Sequence, residues 1–146
     1  MLDLIIKNGR CYIDGELKGV DVSIKDGKIQ NIGKFTEDAK DIIDAKGLTI
    51  LPGCIDTQTH FREPGSTDTE DLHSGSRAAI AGGITAVFEM PNTNPPTSNN
   101  KEFQRKLDLA KNRMYCNYAF YFGATADNAN DLADLKNLEG CCGIKL

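Results

Sequence analysis

Asp56-Thr57-Gln58-Thr59-His60-Phe61-Arg62-Glu63-Pro64-Gly65 is the stretch on which the reading of this chain turns. It follows the apolar run Leu48-Thr49-Ile50-Leu51 and the link Pro52-Gly53-Cys54-Ile55. The pattern predicts a strand that runs out into polar side chains and closes on a Pro-Gly turn. Polar groups at the end of an apolar strand are either a plain loop or the rim of a site. The rest of the chain decides between them.

Downstream, the pattern alternates strand and helix. Thr67 and Glu70 fit a capping box, and Leu72, Ser76, Ala79, Ile80 and Gly83 fall on one helical face. Gly82-Gly83 predicts the end of that helix, and residues 84–88, ITAVF, read as a buried β-branched strand. A second helix is expected from Asn99, with Glu102 three residues on and an apolar stripe of Phe103, Leu107, Ala110 and Met114. A strand over 115–122, a helix around Leu132, Leu135 and Leu138, and a strand over 141–146 complete the series. Strand starts near 50, 84, 115 and 141 recur every ~30 residues, the spacing of βαβ units. Parallel strands wound this way imply a doubly wound sheet or a (β/α) barrel.

Upstream, residues 1–52 read as short strands. Val20, Val22 and Ile24 alternate with Asp21, Ser23 and Lys25; Asp26-Gly27 then makes a two-residue hairpin turn, and 28–32 returns. Asp14-Gly15 is a second turn of that kind. A small antiparallel module, half of a β-sandwich, is expected here, with the βα part over 53–146. That part is far shorter than the ~250 residues of a complete barrel. The chain also ends at Lys145-Leu146, inside an apolar strand, whereas termini are usually exposed and polar. The expectation is the front part of a longer protein, with the remainder, or a second chain, completing the barrel.

Composition narrows the classes. A chain of 146 residues with 17 basic and 21 acidic side chains, net charge -4, has no basic stripe for nucleic acid. No apolar run reaches the ~18 residues of a membrane span, and MLDLIIKNGR lacks a signal-peptide pattern. The cysteines, 11, 54, 116, 141 and 142, are odd in number and contain no C-x-x-C pair. Reduced thiols in a cytoplasmic protein are the expected state, and Cys141-Cys142 reads as packing.

The polar strand ends can then be collected. The first strand delivers Asp56, Gln58, His60 and Arg62, two apart and so on one side. The second delivers Met90-Pro91-Asn92-Thr93-Asn94-Pro95-Pro96-Thr97, and the fourth delivers Lys145. Taken singly, each has a structural explanation: a satisfied core histidine, a solvated Arg62-Glu63 pair, a stiff proline loop. Taken jointly, they converge at the carboxyl ends of parallel strands, where ligands gather.

At these residues the chain resembles a family. DTQTHFREPG, then EDLHSGSRAAIAGGITAVFEMPNTNPPT and later GIKL, is similar to a dihydroorotase of the amidohydrolase superfamily along its whole length, with HFREPG and MPNT as the discriminating pieces. The resemblance implies the first four strands of a metal-dependent-hydrolase TIM barrel plus a β-sandwich module. It implies zinc, one or two ions, with His60 in the second position of the H-x-H motif and Lys145 as the bridging lysine that carbon dioxide carbamylates. It also implies that Arg62 and Asn92 hold the substrate's carboxylate, which suits a bidentate guanidinium and an orienting amide. The implied reaction interconverts N-carbamoyl-L-aspartate and L-dihydroorotate in pyrimidine biosynthesis. A metal there activates water and polarises the scissile carbonyl.

Gln58 departs from the pattern, standing where the first imidazole is expected. An amide oxygen is a weaker zinc ligand than an imidazole nitrogen. Some bacterial dihydroorotase-like members read D-x-Q-x-H here, so the change puts two-metal occupancy in question rather than activity. Asp56 is expected to orient neighbouring groups, and His73 to lie at the surface or in a cap. The family's later histidines and its aspartate acid/base have no counterpart in 1–146, so no catalytic residue is assigned. Two other readings stay open. One is a non-catalytic scaffold for aspartate transcarbamoylase, also compatible with a homodimer. The other is an allantoinase- or hydantoinase-type cyclic amidohydrolase.

Overall fold

The computed structural model describes residues 1–146, which divide into two compact units, Met1–Pro52 and Gly53–Leu146. In the first unit, β1 (Leu2–Lys7), β2 (Arg10–Ile13), β3 (Glu16–Lys18), β4 (Asp21–Lys25), β5 (Lys28–Gly33), β6 (Ala39–Asp44) and β7 (Thr49–Ile50) form two sheets, ordered β5-β4-β1-β6 and β3-β2-β7. Both two-residue turns form as read. Asp14-Gly15 (φ 53° and 83°) and Asp26-Gly27 (φ 51° and 72°) have the paired positive φ of a hairpin turn that matches strand twist.

The sheets are mixed, not purely antiparallel. β6 joins β1 in parallel and β7 joins β2 in parallel. Turn chemistry reports only strands adjacent in sequence, and these two return after longer connections. The alternation along β4 also fails, since Asp21 and Ser23 are buried beside Val22. Both are satisfied there: Asp21 Oδ1 accepts from Asn8 N (3.0 Å) and Lys34 Nζ (3.1 Å), and Ser23 Oγ donates to Asn31 O (3.3 Å).

In the second unit β8 (Cys54–Thr59), α1 (Leu72–Ala81), β9 (Ile84–Glu89), α2 (Asn100–Ala110), β10 (Asn117–Gly123), a 3-10 helix (Ala129–Asn137) and β11 (Cys141–Lys145) alternate. The sheet order is β11-β10-β9-β8, every pair parallel. Strand order follows chain order without reversal. A doubly wound sheet reverses at a switch point, so this is the arrangement of half a (β/α)8 barrel. Phe61, Leu72, Val87, Phe103, Phe120 and Phe122 lead its core.

Element boundaries refine the expectations. The run before Pro52 is not the start of the first barrel strand: Thr49–Ile50 belongs to the first unit, and β8 begins at Cys54. Gly53 is required there, because a Cβ would sit 2.1 Å from Thr85 Oγ1. The capping box of α1 is Asp71 with Ser74, not Thr67 with Glu70; Ser74 N donates to Asp71 Oδ1 (2.6 Å) and Asp71 N to Ser74 Oγ (3.1 Å). Ser66 O already takes the amides of Thr69 and Glu70 in a preceding turn. Asn99 caps α2 through Glu102 N (2.9 Å) as read, and Gly82 ends α1 with Gly83 following at φ 86°.

Candidate active site

The carboxyl end of β8 is stitched to β9 by Met90 N, which donates to Thr59 O (2.9 Å). Between Asp56 and Thr59 the pairing with β9 shifts: Asp56 lies opposite Val87 and Thr59 opposite Glu89. One extra residue on β8 makes a bulge, which breaks the two-residue alternation assumed from the sequence. Asp56 therefore does not share a side with Gln58 and His60 by simple parity. Its Oδ1 accepts from Gln58 N (2.9 Å) and so ties down the backbone of the bulge. Asp56 and Gln58 are exposed, His60 is half-buried, and the next residue, Phe61, is anchored in the core.

The loop beyond it joins the second motif. Asn94 N donates to Pro64 O (3.0 Å), and Gly65 (φ 122°) lies against Asn94, where a Cβ would come within 2.9 Å of Asn94 Cβ. Glycine suits both the positive φ and the close approach. Arg62 is exposed but Glu63 is not its solvated partner. Glu63 is buried and bound bidentately by Arg113, Nη1 to Oε1 at 2.7 Å and Nη2 to Oε2 at 3.0 Å. Its Oε2 also accepts the first helical amide of α1, Leu72 N, at 2.9 Å. Arg113→Met leaves that carboxylate half-served, and the expected loss in urea denaturation is about 1–3 kcal/mol. A loss under about 0.5 kcal/mol, the size of an exposed pair, would show that the clamp is incidental.

The proline-rich segment is a folded turn, not a strut. Pro91 O accepts from Thr93 N (2.9 Å) and Thr97 N (3.0 Å), and Gly123 N donates to Thr97 O (2.8 Å). Asn92 projects from this turn, exposed, and Lys145 Nζ donates to its Oδ1 at 2.8 Å. Pro91, Asn92, Gly123, Thr125 and Lys145 line a cavity of about 160 Å³ at the carboxyl ends of β9, β10 and β11. Burial, and then the positive charges of Lys145, Arg62 and Lys106, lower the His60 pKa from its ordinary value. The ring is thus held neutral and available as a donor. Asn92 and Lys145 are in direct contact, and His60 lies near enough to feel the charges of Lys145 and Arg62.

Sequence reasoning missed a charged pair at the end of β9. Glu89 and Lys106 are both fully buried, with the Lys106 ammonium in ion contact with Glu89 Oε2. Burial pushes Glu89 up to about 7 against the opposing pull of Lys106, and burial lowers Lys106. The signal was present. Lys106 falls at the i+3 position of the stripe Phe103, Leu107, Ala110, and Glu89 closes a buried apolar strand. His73 is exposed, its Nε2 3.3 Å from Tyr115 Oη, away from these groups.

Known proteins resemble this chain in sequence and fold. The Amidohydrolase family pattern matches residues 49–140. An allantoinase of Escherichia coli O1:K1 is 42% identical over 144 residues, 98% of this chain and 32% of the relative. An allantoinase of Salmonella choleraesuis (strain SC-B67) is 40% identical over the same shares. The L-hydantoinase (dihydropyrimidinase) of Arthrobacter aurescens superposes with a TM-score of 0.90 at 30% identity, covering 99% of this chain and 32% of that one. The chain spans about a third of the length of the relatives it matches. Their names fit the allantoinase or hydantoinase alternative better than dihydroorotase. The loops that carry HFREPG and MPNT are joined at the carboxyl ends of β8 and β9 by the hydrogen bond from Asn94 N to Pro64 O.

Proposed function

We infer the function from one premise: the chain belongs to the amidohydrolase family. It contributes part of an enzyme that opens a ring amide with water, or closes one with loss of water, and allantoinase-type hydrolysis of a neutral cyclic ureide is the preferred reading. The observation that carries the hydrolase reading is the Lys145–Asn92 contact at the carboxyl ends of parallel strands, near His60. The identity to allantoinases favours the ureide. A dihydroorotase is the second reading, supported by exposed Arg62 two residues beyond His60, a guanidinium fork suited to a carboxylate. Assaying the full-length protein on allantoin, hydantoin and dihydroorotate decides between them. Turnover of none would sink both.

The donors present fit part of a metal centre. His60 offers an imidazole, and Lys145, whose Nζ here donates to Asn92, would become a ligand only once carbamylated; no group of three His, Cys, Asp or Glu residues assembles within this chain. Further ligands would come from the rest of the protein or a second chain. A bound zinc would polarise the scissile carbonyl and acidify water. Around it, His60 would hold the ion, Asn92 would orient the substrate, and Phe61 would keep the His60 backbone anchored. The free cysteines suit a cytoplasmic protein.

Gln58 bears on stoichiometry. With an amide in place of an imidazole, one tight zinc per full-length protein is expected, and Lys145 carbamylated in part or not at all. Gln58→His should raise the count towards two, since zinc prefers the imidazole. Metal analysis of both forms, with the mass of the peptide bearing Lys145, checks this. Two tight zincs in the parent would overturn it.

A further inference from the structure

We propose that Lys106 is a positioning residue for this site, a strut from α2 that holds the junction between the backbones carrying His60 and Asn92. The proposal rests on the hydrolase reading above. Lys106 Nζ donates to Met90 O at 3.0 Å while in ion contact with Glu89, and it lies 5.2 Å from the centre of the Phe120 ring. Lysine and glutamate are both fully enclosed. Apart from Lys106, neither Glu89 oxygen has a hydrogen-bond partner.

A buried ion pair is a poor device for stability alone, because well-packed apolar side chains of similar size often serve as well or better. Phe103 and Ala110 already seat α2 in the core. What an apolar side chain cannot do is grip a main-chain carbonyl. The residue gripped is the one where two strand ends meet. Met90 N binds Thr59 O, immediately before His60, and Asn92 lies two residues beyond Met90. The next carbonyl, Pro91 O, anchors the turn through Thr93 and Thr97, and that turn presents Asn92 to Lys145. Lys106 fixes the point from which the turn hangs, and Glu89 aims the ammonium at it.

The double variant Glu89→Leu/Lys106→Met, in the full-length protein, separates positioning from bulk stability. The melting temperature should stay within a few degrees of the parent or rise. Amide hydrogen exchange over 90–97 should quicken at least tenfold while 117–123 is unchanged. On whichever cyclic amide the parent turns over, kcat/KM should fall at least tenfold. Exchange over 90–97 and kcat/KM both within twofold of the parent would overturn the proposal. A parent that turns over no cyclic amide defeats the functional reading, and the exchange result alone then decides the strut. If the double variant does not fold, Glu89→Gln, which removes the charge that aims the ammonium, should quicken exchange over 90–97 at least threefold. A change under twofold there overturns the strut equally.

Discussion

Lys106→Met is expected to destabilise the full-length protein by about 3–5 kcal/mol at pH 8, because it leaves Glu89 enclosed without a counter-charge. The loss should shrink markedly at pH 5. In the folded parent, burial already raises Glu89 from 4.5 to about 7, with Lys106 pulling the other way. Removing the ammonium lets burial raise it further. A carboxyl whose folded pKa lies above its unfolded value binds the proton better when folded. Its contribution is therefore fully present below about 4.5 and is lost as pH rises through the folded pKa, by about 1.4 kcal/mol per unit. The variant should extend this fall to higher pH, and its carboxyl should be protonated and neutral in the folded state at pH 5. Urea midpoints of parent and variant at pH 5 and 8 measure the effect. Equal losses at both pH values would mean that Glu89 is not the group left exposed to the penalty.

Arg62→Met should separate the two substrate readings by the largest kinetic margin. If a carboxylated ring is the substrate, removing a charge-assisted pair costs on the order of 2–5 kcal/mol, which is a loss of roughly 30- to 5,000-fold in kcat/KM. A neutral ureide or hydantoin, with no carboxylate to pair, should be turned over within a few-fold of the parent rate. Fold and metal content should be untouched, because Arg62 is exposed between the buried Phe61 and Glu63, which hold the loop without it. Kinetics on allantoin and dihydroorotate with both proteins give the answer. Comparable losses on both substrates would assign Arg62 to the structure of the loop.

What the sequence determined by itself about this protein is local. The Asp-Gly turns, the Asn99 cap, the glycine end of α1 and the ~30-residue strand period depend on residues a few positions apart, whose chemistry is complete in the sequence. The position of His60, Arg62, Asn92 and Lys145 at strand ends was legible too, because a βα repeat places strand ends together whatever the packing; their roles remain a proposal. Tertiary structure alone decided which strands pair and which charges meet. It joined β6 and β7 in parallel, kept the barrel strands in chain order, and put a bulge between Asp56 and Thr59 that no alternation pattern reveals. Arg113 reaches Glu63 across 50 residues and Lys145 reaches Asn92 across 53. Periodicity shows that a side chain faces inward but not what it faces. Lys106 on an apolar stripe is an anomaly in sequence, and becomes intelligible only when folding sets Glu89 and the Met90 carbonyl against it.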